Sequence, residues 1–118
     1  MGGMSDALEL SFLQTNFIDA PEVFLGLFKT NPTDVSATNE VTGGGYARQQ
    51  MNFPAVANPL VSPEIVFPVP TADWGVVVGW GIFTAASGGL YRAWNVLTTS
   101  VNIVTGRQVV FTITLAVD

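Results

Sequence analysis

Carboxylates are the only conventional acid–base side chains in this 118-residue chain, which contains neither His nor Cys. Without His there is no Ser–His triad and no ordinary general base near neutral pH. Without Cys there is no disulfide, no thiolate nucleophile and no cysteine-ligated metal. Asp73, beside Trp74, is the carboxyl best placed for chemistry, because apolar burial would raise its pKa towards that of a general acid. The simpler reading is a turn cap leading into the strand at Gly75. Asp34 and Glu40 flank a polar loop and offer oxygen ligands to a cation. They lack EF-hand spacing, so a solvated loop is the expectation, with no metal and no cofactor.

Gly43-Gly44-Gly45 invites comparison with a phosphate-binding loop. No Lys-Ser/Thr follows, and the next segment reads as a strand, so no helix N-terminus is available to an anion. The three glycines instead suit positive φ values in a wide turn. Trp74, Trp80 and Trp94 could stack on a sugar ring. Trp80 and Trp94 fall in strands expected to pair, which makes core packing their default. Trp74, at a strand mouth, is left as the candidate ligand contact.

These residues are positioned by an alternating, not a helical, pattern. Ser5 can cap a short helix over residues 5–16 with Leu8 and Phe12 on one side, preceded by a flexible lead-in at 1–4. From 22 to 118 the chain reads as one β-rich domain. In EVFLGLFK (22–29) both faces are apolar, as in a strand covered on both sides. Asn31-Pro32-Thr33-Asp34 is a turn, and 35–45 a loop of low order or a wide turn. YARQQMNF (46–53) returns to strand character. Five prolines between 54 and 70 leave only a short edge strand at 64–67.

GVVVGWGIFT (75–84) and LYRAWNVL (90–97) form a hairpin across Ser87-Gly88-Gly89. A short strand at 98–104 is expected next. Val109, Phe111, Ile113, Leu115 and Val117 then define one half-buried strand. The fold class is mainly β: an antiparallel sandwich or open barrel of six to seven strands, with one short N-terminal helix.

Composition narrows function further. Apolar residues make up 48% of the chain and charged residues only 11%, against roughly 25% in average domains. A surface so poor in charge suits burial against other protein. The formal charge is −5, and the four basic residues, Lys29, Arg48, Arg92 and Arg107, are scattered. Nucleic-acid and anionic-membrane binding both lack the required cluster of cations. No apolar run reaches the roughly 20 residues of a membrane helix. Residues 1–5 lack the features of a secretory signal, so any release from a cell is expected to come by lysis, inside something larger.

Several segments resemble a family of small virion proteins of tailed bacteriophages, commonly labelled phage tail fibre proteins. They are VFLGLFKTNPTD (23–34), EVTGGGYARQ (40–49), TADWGVVVGWGIFTAASGGLYRAWNVLTT (71–99) and FTITLAVD (111–118). The proline-rich 53–70 segment replaces the family's usual serine- and glycine-rich middle. The resemblance implies a non-enzymatic virion component with no catalytic residues to carry over. Two positions in the particle follow from it. The leading expectation is a capsid decoration, or cement, protein on the major capsid protein. The alternative is a tail-fibre or baseplate component binding a host-surface receptor. A homo-oligomer is expected, a trimer by analogy, with Leu8, Phe12, Phe24 and Phe28 as interface anchors. A carboxylate-based hydrolase is the remote third reading.

Overall fold

The computed structural model describes residues 23–52 and 60–115. Eight strands and no helix occur among them: β1 (Phe24–Phe28), β2 (Gln49–Gln50), β3 (Leu60–Val61), β4 (Ile65–Val66), β5 (Gly75–Phe83), β6 (Tyr91–Ile103), β7 (Val110–Phe111) and β8 (Thr114–Leu115). The fold is mainly β and every pairing is antiparallel. The expected helix over 5–16, with Leu8 and Phe12, lies outside the described residues.

A four-stranded sheet in the order β2-β1-β5-β6 forms the body of the structure. β3 pairs with β8 and β4 with β7, so residues 60–66 run against residues 110–115 as a narrow ribbon. No barrel closes: β2 and β6 remain the two edges of the main sheet.

Register explains why β1 and β5 are apolar on both faces. Leu25 lies opposite Ile82 and Leu27 opposite Trp80, and all four are buried. Because side chains alternate, the other face carries Phe24, Gly26 and Phe28 opposite Phe83, Gly81 and Gly79. The glycines clear a lane there. A Cβ at Gly79 would lie 2.6 Å from Pro32 Cδ, and one at Gly26 would lie 2.8 Å from Glu40 Oε2. The arm formed by residues 31–48 occupies this lane. It is not a loop of low order: Lys29 N–H donates to Asn39 O, Val41 N–H donates to Leu27 O, and Val41 is buried.

Three expected strand boundaries move. Among the described residues of the 46–53 segment only Gln49–Gln50 form a strand, because residues 43–46 are still completing a turn. Segments 90–97 and 98–104 merge into β6, with residues 97–100 bulging opposite Val78 alone. The single strand foreseen at 109–117 becomes β7 and β8. Its alternation survives, with Ile113 buried between exposed Thr112 and Thr114. The ladder is broken because residues 62–64 oppose only 112–113, at Pro63, which has no N–H to donate. Ser62 mends the gap by donating its N–H to Ile113 O and accepting Ile113 N–H at Oγ.

The lane yields a test in which packing opposes propensity. Alanine in a strand normally gains over glycine by roughly 0.5–1 kcal/mol. Gly79→Ala is expected to destabilise instead, by about 2 kcal/mol, because the Pro32 ring and the Asn95 carbonyl already fill the space. Thr99→Ala on the exposed bulge is expected to change stability by less than about 0.5 kcal/mol. Urea unfolding of the two variants checks both signs.

Candidate functional site

The polar centre of the structure grows from an unpaired stretch of the β1 edge. β2 covers that edge only at Phe24 and Leu25, and the bridge to Glu40 begins at Phe28. Leu27 N–H would be left without an acceptor between them. The Tyr46 hydroxyl fills the position, accepting Leu27 N–H at 3.0 Å and donating to Glu40 Oε2 at 2.6 Å. Burial, and then the bond to Glu40, push the Tyr46 hydroxyl pKa far above its ordinary value.

Glu40 is in turn held by Arg48. Arg48 Nε donates to Glu40 Oε2 at 2.9 Å and Nη2 to Oε1 at 3.0 Å, a two-pronged pair. Nη1 donates to the carbonyls of Ala85 and Gly88, at 3.0 and 2.9 Å. The guanidinium also lies 3.6 Å from the centroid of the Phe83 ring. One side chain thus clasps the β5–β6 hairpin loop to the arm. The Arg48 side chain is only 10% exposed, so its charge depends on Glu40 for compensation.

The three glycines make this clasp reachable. Gly43, Gly44 and Gly45 all have positive φ, as their sequence suggested, and Tyr46 N–H closes the turn on Gly43 O. Gly44 O also accepts Trp74 Nε1–H at 2.9 Å. Trp74 is 2% exposed and meets Tyr46 edge-on at 5.3 Å and Phe67 at 6.2 Å. Phe67 continues to Phe111 at 5.8 Å, so these rings join the ribbon to the main sheet. Trp74 therefore offers no open face for stacking on a ligand, which corrects its assignment as a ligand contact.

Residues 3–116 match a family model described as podophage GP4 fiber I protein gp80. The chain belongs to this family of phage fibre proteins. Membership makes it a virion structural component, in agreement with the resemblance drawn from its motifs. Among curated proteins there is no match.

Other expected site residues of the fibre protein fall in separate places. Asp73 is fully exposed and accepts Thr105 N–H and Oγ1–H, at 2.8 and 2.9 Å. Those bonds hold its carboxyl below the usual range, the opposite of a desolvated acid. Asp34 accepts Trp94 Nε1–H, while Glu40 belongs to the clasp, so the two do not form a cation site. Among the described residues no group of three His, Cys, Asp or Glu could hold a metal. Trp80 is buried and Trp94 half-buried. Phe24 is half-buried, but Phe28 is only 1% exposed and packs on Phe83 at 5.8 Å. Its area is already used within the chain, so it is not a free interface anchor.

The Glu40–Tyr46–Arg48 clasp was missed in the sequence. Its signal is a Glu and an Arg bracketing a glycine turn and a tyrosine, within a motif already noted for its resemblance. A buried Arg needs a partner, and Glu40 is the nearest carboxylate in sequence.

Two outcomes are expected. Arg48→Met should cost about 2 kcal/mol, because it strips charge-assisted bonds from Glu40 and two carbonyls. A fall in Tm of roughly 5–10 °C would report this loss. The second concerns alkali. A raised folded pKa stabilises the protonated phenol, so Tyr46 contributes fully below about pH 10, the unfolded value. Above that pH the unfolded phenol ionises first and stability drains away. Tyr91, pushed up to about 12 by burial and by Asp34, acts in the same direction. Phenolate absorbance of the folded protein should therefore show neither tyrosine titrating near pH 10, and Tyr46→Phe should flatten the alkaline loss of stability.

Proposed function

We propose that the fibre protein is a structural building block of the podophage fibre and assembles with copies of itself along the outer edge of β6. The observation that carries this reading is the edge itself. β6 has thirteen residues, with no proline or glycine and Arg92 as its one charged residue. No described strand pairs with its outer side. Natural edges are usually blunted by charge, proline or shortness, and the opposite edge, β2, is two residues long. The bulge at 97–100 interrupts β6 but leaves pairing stretches on either side.

Family membership favours the fibre over the head. The expected role as a cement protein on the major capsid protein gains no specific support from the family or from the structure. An oligomeric fibre subunit also suits the low charge, since surface covered by a neighbour needs few ions. Phe24, Leu8 and Phe12 remain proposed secondary anchors. Pairing of β6 with its own copy closes as a two-fold dimer, whereas the trimer suggested by analogy would require β6 to meet a different surface of its neighbour.

Light scattering coupled to size exclusion tests the proposal. The wild type at micromolar concentration should show a mass of two or three chains. A Val96→Lys, Thr99→Lys double variant should run as a monomer with an unchanged far-ultraviolet circular dichroism spectrum. A monomeric wild type would reject self-assembly.

A further inference from the structure

The outer edge of β6 is not open along its whole length. Val96 N–H donates to Asn95 Oδ1 at 2.8 Å, a bond from a backbone amide to the side chain of the preceding residue. We propose that this bond is a latch on the edge: the Asn95 carboxamide occupies the donor that a second copy's strand needs, and swings away when two copies pair. The inference rests on the self-assembly reading and deepens it by naming the residue that regulates the contact.

Two independent features turn Val96 N–H outward. A Cβ placed on Gly79 of β5 would lie 2.9 Å from Asn95 O, so the Asn95 carbonyl points into the main sheet. The C=O and N–H of one trans peptide point in opposite directions, which aims Val96 N–H away from β5. β1 sets the same phase. Leu27 directs its N–H to the Tyr46 hydroxyl and its C=O to Val41 N–H, both on the arm, so Phe28 turns its backbone groups to Gly79. Alternation then faces Gly79 to β1 and Trp80 to β6, where Asn95 is its partner. By the same alternation the Trp94 carbonyl faces outward. An incoming strand therefore meets an acceptor at 94 and a blocked donor at 96.

The strength of the cap suits a latch that opens. Asn95 and Val96 are both exposed, so the bond forms in water and holds by a factor of only roughly 5. A partner strand that offers a carbonyl to Val96 N–H replaces it with a bond of the same kind, and the released carboxamide is hydrated. Natural edges are often guarded by a bulge. The β6 bulge lies at 97–100, and the cap extends the guarded stretch back to 96.

Sedimentation of the full-length chain over a concentration series tests the latch. Asn95→Ala frees the amide and should associate roughly 5-fold more tightly for each cap opened, or roughly 25-fold for a two-fold pair of β6 edges. Asn95→Asp keeps an acceptor on the amide and adds charge, so it should associate more weakly than the wild type. Adding Val96→Lys and Thr99→Lys to Asn95→Ala should restore the monomer; association that survives them would place the gain elsewhere and overturn the latch. Amide exchange reports the cap itself: Val96 should exchange more slowly in dilute wild type than in dilute Asn95→Ala. Equal exchange at Val96, or association of Asn95→Ala no tighter than wild type, overturns the proposal. A wild type that still forms its oligomer in that case leaves self-assembly standing without the latch, whereas two chains that stay monomeric at every concentration remove both.

Discussion

The bond from Leu27 N–H to the Tyr46 hydroxyl is the constraint from which the rest of the structure can be rebuilt. β1 is an inner strand of the main sheet, yet its outer partner β2 is too short to cover it. A buried amide without an acceptor costs about 1–3 kcal/mol, so something must reach Leu27. Backbone cannot do so easily, because the chain opposite is turning through three left-handed glycines. A long side chain with a polar tip can. Tyrosine meets that need, and its ring then becomes the keystone of the Tyr46–Trp74–Phe67–Phe111 aromatic contacts.

The charges follow from the same hydroxyl. A phenol that accepts from an amide gives its own proton away most strongly to a carboxylate, and Glu40 is that acceptor. A carboxylate in a half-buried site needs a counter-ion, and Arg48 supplies it in two-pronged geometry. The remaining guanidinium donors then fix the β5–β6 hairpin loop. A chain with four basic residues thus uses one of them to tie the arm to a loop far along the sequence, with Ala85 and Gly88 lying 37 and 40 residues from Arg48. In a charge-poor chain this ion pair sets geometry more than surface solubility.

Local pattern made part of this legible. The hairpin across Ser87-Gly88-Gly89, the alternation about Phe111 and Ile113, and the positive φ values at Gly43 to Gly45 all depend on near neighbours or on a residue's own backbone freedom. What escaped depends on distant partners. Trp74 reads as a strand-mouth aromatic until its acceptor, Gly44 O, is brought 30 residues back to it. The edge strand at 64–67 was legible and appears as β4, whereas Leu60–Val61 reads as loop because of the flanking prolines, and pairs because the Ser62 hydroxyl replaces a ladder partner. Glu40 and Arg48 read as a loop acid and a stray base because nothing in their spacing reveals the glycine lane that lets the arm descend onto the sheet. The fold class and family were therefore readable, while the clasp was not.

Amide hydrogen exchange at Leu27 tests the central role of the Tyr46 hydroxyl most directly. In the wild type that amide should be protected as strongly as its buried β1 neighbours. In Tyr46→Phe it should lose protection, together with the Val41 and Met51 amides, while the β5–β6 hairpin keeps its own. Unchanged protection of Leu27 in that variant would contradict the account.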